Sequence, residues 1–162
     1  RLHRVAHVRP VQGSMSLAIR ADGTYRRRKT MLNEQRDIDA SASVAWQLLI
    51  DTRQWPNWGP SVRAVDAPAH CIGPGVRGRV QTAAGLWVPF EITDWQAERY
   101  WAWRVGGVPA TGHAVESIGP NRCRVRFLIP RWAPFYRQVC RQALRRIAEL
   151  AEDRGGSGKS EQ

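Results

Sequence analysis

The chain has 162 residues, a length suited to one domain with a sizeable core. It carries 25 Lys+Arg against 14 Asp+Glu, a formal net charge of +11. It lacks a run of about 18 apolar residues, so no transmembrane helix is expected. The N-terminus is basic but no apolar stretch follows it, so no secretory signal is expected either. The three cysteines, Cys71, Cys123 and Cys140, are odd in number and have no metal-ligand spacing. They read as reduced thiols in a cytoplasmic protein, with Cys123 and Cys140 on apolar faces.

The charge is unevenly spread. Residues 1–30 hold eight Arg/Lys and one Asp, a net +7, whereas residues 31–153 net only +3 and residues 154–162 net +1. A globular part so mildly basic argues against nucleic-acid binding by that part. Any patch for phosphate belongs to the N-terminal segment, chiefly Arg26-Arg27-Arg28-Lys29. The basic residues are 23 Arg and two Lys, which points to base composition of the coding DNA.

Residues 1–30 show no sustained period and are expected to form a poorly ordered basic tail, with a turn signal at Asp22-Gly23 and at most one short strand. Met31 to Asp39 reads as a first strand with weak alternation. Ser41 is placed as the N-cap of a short helix, SASVAWQLLID, closed by Asp51. A second short turn or helix, TRQWPNW, is broken by Pro56 and ended by Gly59-Pro60. Short strands follow at 62–67, 75–83, 86–95, 99–105, 110–118 and 122–129. The last of them alternates most clearly, with Cys123, Val125, Phe127 and Ile129 set against Arg122, Arg124 and Arg126. Residues 134–153 then read as one long amphipathic helix. At 100° per residue, Tyr136, Val139, Cys140, Ala143, Leu144, Ile147, Leu150 and Ala151 share an arc of roughly 140°. Arg137, Arg141 and Arg145 lie outside it, as solvated side chains, and Gly155-Gly156 is expected to end the helix. Residues 154–162 are expected to be a flexible tail. The order of elements gives an α+β fold. A curved antiparallel sheet of six to seven strands, wet on one face, grips the C-terminal helix, with two short helices after the first strand.

The stretch IDASASVAWQLLIDTRQWPNW resembles the opening of START-like proteins of the SRPBCC superfamily, of the polyketide cyclase/dehydrase type. The features that carry the likeness are Ile38, Asp39, Ala40, Val44, Trp46, Asp51, Trp55, Pro56 and Trp58. FEITDWQAERYWAWRV resembles the same family's middle hairpin, and the likeness spans roughly residues 31–153. Ser41 stands where Pro is common. The resemblance implies a helix-grip domain with a cavity between sheet and helix. It also implies ligands such as lipids, polyketides or other apolar compounds, and in some members cyclase or dehydratase activity. It brings no catalytic motif shared by the whole family.

Strand phase puts Phe90, Ile92, Trp101, Trp103, His113, Val115, Val125 and Phe127 on the inner face, opposite Val139, Ala143 and Ile147. Each is either a ligand contact or ordinary core filling. His113 is the one titratable group placed inside, fit either for acid/base work or for a buried hydrogen bond. Tyr136 is placed either to orient a ligand carbonyl or as a packed tyrosine with its hydroxyl at the rim. Trp46, Trp55, Trp58 and Trp132 are read as covers for the ends of the core. No metal ligand set, phosphate loop or nucleophile elbow is present, and no cofactor is expected. The favoured function is binding of an apolar small molecule by a monomer or dimer. The alternatives are a polyketide cyclase or dehydratase using His113 and Tyr136, and an interaction protein docking through its basic tail.

Overall fold

The computed structural model describes residues 31–157, so the expectations for residues 1–30 and for 158–162 lie outside the described residues. Seven strands form one antiparallel sheet: β1 (Met31–Ile38), β2 (Val62–Asp66), β3 (Arg77–Thr82), β4 (Trp87–Gln96), β5 (Tyr100–Val105), β6 (Val108–Gly119) and β7 (Arg122–Pro130). Their order is β1-β7-β6-β5-β4-β3-β2, so consecutive hairpins carry the chain from β2 to β7 and β1 closes the far edge. Helix α1 (Ala42–Ile50) is followed by a 3-10 turn and by the four-residue helix α2 (Trp55–Trp58). The long helix α3 (Arg137–Ser157) packs against β1, β7, α1 and α2.

The sheet grips α3 because both present apolar faces of matching length. Cys140, Ala143, Leu144, Ile147, Ala148 and Ala151 of α3 are buried with Cys123, Val125, Phe127 and Ile129 of β7 in one core. Burying side chains of this size stabilises the fold by about 1.5–3 kcal/mol for each large aliphatic or aromatic residue.

Several local expectations are corrected. Residues 134–136 form a separate 3-10 turn, so Tyr136 stands before α3 and not on it. Gly155 and Gly156 continue the helix as far as Ser157. Ser41 occupies the N-cap position without capping: its hydroxyl bonds the Ser43 hydroxyl at 3.0 Å. Arg137 and Arg141 are not free in solvent. Both reach Glu34 of β1, at 2.6 Å and 3.0 Å, and Glu34 is itself only 12% exposed. The Arg141 hydrogen bond, more than the weaker opposing effect of burial, holds the Glu34 carboxyl below the usual carboxylate range. The outer face of the sheet is not wholly wet. Tyr100 is buried there beside Gly112, where an added Cβ would stand 2.6 Å from the phenol oxygen. Elsewhere that face carries ion pairs such as Arg124–Asp37 at 2.6 Å and Arg126–Glu116 at 2.8 Å.

Candidate functional site

The concave face of the sheet holds a small cavity of about 30 Å³, room for about two water molecules. It sits at the end of the sheet where β2 begins, β7 ends and α3 begins. Trp55, Trp58 and the loop Gly59–Val62 form one wall, and Trp101, Trp103, Thr111, His113 and Phe127 form the sheet wall. Tyr136, Val139, Cys140 and Ala143 close it from the helix side.

Tryptophan takes up most of the space that a hollow sheet would leave. Trp55 stacks on Trp101 with centroids 5.5 Å apart and planes 7° apart, and meets Trp103 edge-on at 5.2 Å. Trp58 approaches Phe127 at 5.9 Å and His113 at 6.2 Å. These two indoles therefore occupy the centre of the concave face, which corrects the reading of them as end covers. Trp132, read the same way, is mostly exposed, and Trp46 packs on Trp95. Pro56 in the first turn of α2 fits the short helix. The α2 tryptophans are also tied to α1. The Trp55 Nε1–H donates to the Leu49 carbonyl and the Trp58 Nε1–H to the Leu48 carbonyl, each at 2.9 Å. These carbonyls are in the last turn of α1, where no helical amide remains to bond them.

Two polar pairs face this apolar space. On the sheet side, the Trp103 indole donates to Thr111 Oγ1 at 3.2 Å, and Thr111 Oγ1 lies 3.2 Å from His113 Nε2. Indole nitrogen only donates, so Thr111 accepts from Trp103 and shares one further proton with the imidazole. The imidazole is 2% exposed and its Nδ1 meets no partner of good hydrogen-bond geometry among the described residues. Burial pulls its pKa down to about 3, and the Trp101 backbone opposes this only in part. His113 is therefore neutral at neutral pH. On the helix side, the hydroxyls of Ser61 and Tyr136 share a hydrogen bond. Burial raises the Tyr136 pKa above its ordinary value, against the effect of Ser61. None of the lining side chains is charged. Cys140 is a buried free thiol pushed up by burial to about 12, which leaves it protonated and inert. Among the described residues no three His, Cys, Asp or Glu side chains gather as metal ligands.

The structure brings together seven of the residues expected at a site: Trp101, Trp103, His113, Phe127, Tyr136, Val139 and Ala143. Phe90, Ile92, Val115, Val125 and Ile147 are buried in the core but do not line the cavity. The reason is positional. The cavity lies at one end of the sheet, and Val115 and Ile147 lie further along β6 and α3, towards the other end. Phe90 is covered by the Trp55 ring at 5.6 Å. Ser61 and Thr111, like Trp55, Trp58 and Cys140, line the cavity and were not among the residues expected there. Thr111 has a sequence signal, because it is two residues from His113 and so shares its strand face. Ser61, in a loop, has none.

The family described as polyketide cyclase / dehydrase and lipid transport matches residues 29–152. A search of curated protein sequences returns no match. Among solved structures, the chain is similar to the protein XoxI from Bacillus cereus, with 13% identity and a TM-score of 0.60 over 76% of this chain and 96% of that one. It is similar to the Zhui aromatase/cyclase from Streptomyces sp. R1128, with 13% identity and a TM-score of 0.60 over 76% and 94% of the two chains. It is also similar to norcoclaurine synthase from Thalictrum flavum, solved with dopamine and hydroxybenzaldehyde, with 11% identity and a TM-score of 0.53 over 76% and 86%. At these identities the structures establish the helix-grip fold.

Proposed function

The chain belongs to the polyketide cyclase / dehydrase and lipid transport family, and from that premise we propose that it binds one small, mainly apolar molecule in the tryptophan-lined cavity. The observation that carries this reading is the lining itself: aromatic and aliphatic walls, two neutral polar pairs and no charged side chain. Such a site favours a planar aromatic or polyketide-like compound with one or two oxygens, for which Tyr136–Ser61 and Thr111–His113 supply hydrogen bonds. The closed cavity is smaller than any such ligand. Binding therefore requires α2 and the loop after it to move outward.

The cyclase or dehydratase reading, by analogy with the aromatase/cyclase neighbour, would use His113 as acid/base and Tyr136 as orienter. We rank it second. A base with a pKa of about 3 takes a proton poorly near neutral pH, and almost none of it is imidazolium there. A single domain from residue 31 to the end of α3 at Ser157, four residues past the expected limit of 153, with a basic segment before it, is part of the proposal.

Tryptophan emission of the full chain, titrated with 2-naphthol and with decanoic acid, tests the binding reading. Quenching or a spectral shift that saturates is expected for at least the aromatic probe. Ala143→Val, which adds two methyl groups to the cavity wall, should weaken it several-fold while circular dichroism stays native. Saturable binding that Ala143→Val leaves intact would place the site elsewhere, and no response to either probe counts against the proposal.

A further inference from the structure

Five of the six large apolar side chains exposed among the described residues lie at one end of the sheet. The antiparallel order fixes this. The turn between β3 and β4, the turn between β5 and β6, and the connection from β7 to α3 all fall at that end, together with the start of β1. Leu86 and Trp87 stand on the first, Val108 on the second, and Trp132 and Phe135 on the third, the last two 61% and 74% exposed. The sixth, Ile118, is at the opposite end. The same end carries one edge of the cavity, since Tyr136 follows Phe135 directly and Ser61 precedes β2.

Charge at this end has one sign. The three connections, 83–86, 106–107 and 131–136, contain no Asp or Glu, while Arg63, Arg104 and Arg131 are exposed on or beside them. The segment that carries a net +7 over residues 1–30 joins the fold here, at Met31, which shares a surface groove with Val108 and Trp132. Protruding aromatic side chains on separate turn tips, interleaved with arginine, suit a fluid interface more than a single protein groove. Indole and phenyl rings partition to the headgroup level, and basic residues are drawn to anionic lipid.

We propose that this end of the sheet is a peripheral docking face for a lipid surface bearing anionic headgroups, with Trp132 and Phe135 as the inserted anchors. The Ser61–Tyr136 edge of the cavity then lies on the side that faces the lipid. The docking claim goes beyond the binding reading and does not depend on it.

Co-sedimentation of the full chain with phosphatidylcholine vesicles, with and without roughly 30% phosphatidylglycerol, tests it. Binding is expected to the anionic vesicles, weaker to the neutral ones, and reduced by high salt. Combining Trp132→Ser with Phe135→Ser should weaken it by about tenfold or more, and Ile118→Ser should leave it unchanged. Both serine variants alter exposed side chains, so circular dichroism should be native. Should the double variant unfold, Val108→Asp is read in its place, with the same loss expected. Failure of the full chain to bind vesicles overturns the proposal, as does binding of an RNA homopolymer in place of vesicles. Equal binding by the anchor variant also overturns it, because the basic segment alone would then account for the attraction. The 2-naphthol titration, run without vesicles on the same variant, separates failure of docking from failure of the cavity.

Discussion

The imidazole of His113 lies nearly flat on the indole of Trp101, with ring centroids 3.9 Å apart and planes 24° apart. Phe127 meets the same imidazole edge-on at 4.6 Å. Rings on both sides, with only 2% of the residue exposed, strip the imidazole of the bulk solvent that an imidazolium needs. The folded protein therefore holds this group neutral down to about pH 3, whereas the unfolded chain protonates it near 6.5. Between those values the unfolded state binds more protons, so stability rises with pH and falls on acidification. Urea denaturation should show about 1.5 kcal/mol lost between pH 6.5 and about pH 5. His113→Leu should remove most of that slope, and an unchanged slope would mean that the ring is solvated.

The Ser61–Tyr136 pair predicts non-additive mutants. Ser61→Ala strands a largely buried phenol and should cost about 1–2 kcal/mol. Tyr136→Phe leaves only the small, partly exposed Ser61 hydroxyl without its partner and should cost less. The double variant should be more stable than the sum of the two losses implies, by about 0.5 kcal/mol or more. Strict additivity in thermal or chemical unfolding would deny the bond.

Glu34 is held by two arginines from α3, and its pKa lies below the ordinary value of 4.5 in the folded state. Its contribution is present above pH 4.5 and is lost as pH falls through the lowered folded value. That window lies below most of the His113 window, so the two are separable. Glu34→Gln should cost about 1 kcal/mol at neutral pH, and Arg141→Ala about half of that, because Arg137 remains. Ile147→Asp is the contrasting change. It places an unpaired carboxylate at a fully buried position and should prevent folding.

Gly112→Ala should destabilise by about 1–3 kcal/mol, because its Cβ would meet the Tyr100 phenol at 2.6–3.1 Å. Tyr100→Leu in the same chain should recover part of that loss. No recovery would locate the strain in the backbone and not in the ring.

Much of this fold is legible in the sequence because its signals are periodic. The alternation of Cys123, Val125, Phe127 and Ile129 and the helical arc through Ala143 and Ile147 both match buried faces in the structure. What escaped has no period to read. A helix of four residues does not announce which way Trp55 and Trp58 turn. Arg141 lies off the apolar arc, yet nothing local shows that β1 places a carboxylate beside it. Tyr100 alternates correctly with Trp101, but alternation gives the face and not what covers it. The site was half legible for the same reason. The sheet residues Trp101, Trp103, His113 and Phe127 follow from strand parity. Ser61 depends on where a loop closes, and the cavity's size depends on how far two indoles reach into it.

The indole hydrogen bonds to Leu48 and Leu49 tie the plug of the cavity to the end of α1. For the proposed guest, larger than the closed space, entry requires those indoles to swing out, which breaks their bonds to the last turn of α1. If the cavity takes the proposed guest, uptake then has a speed limit. In a stopped-flow experiment the observed rate should climb with guest concentration and level off, and the plateau should slow sharply on cooling. Trp58→Phe, which cuts one tether while keeping a ring in place, should raise that ceiling.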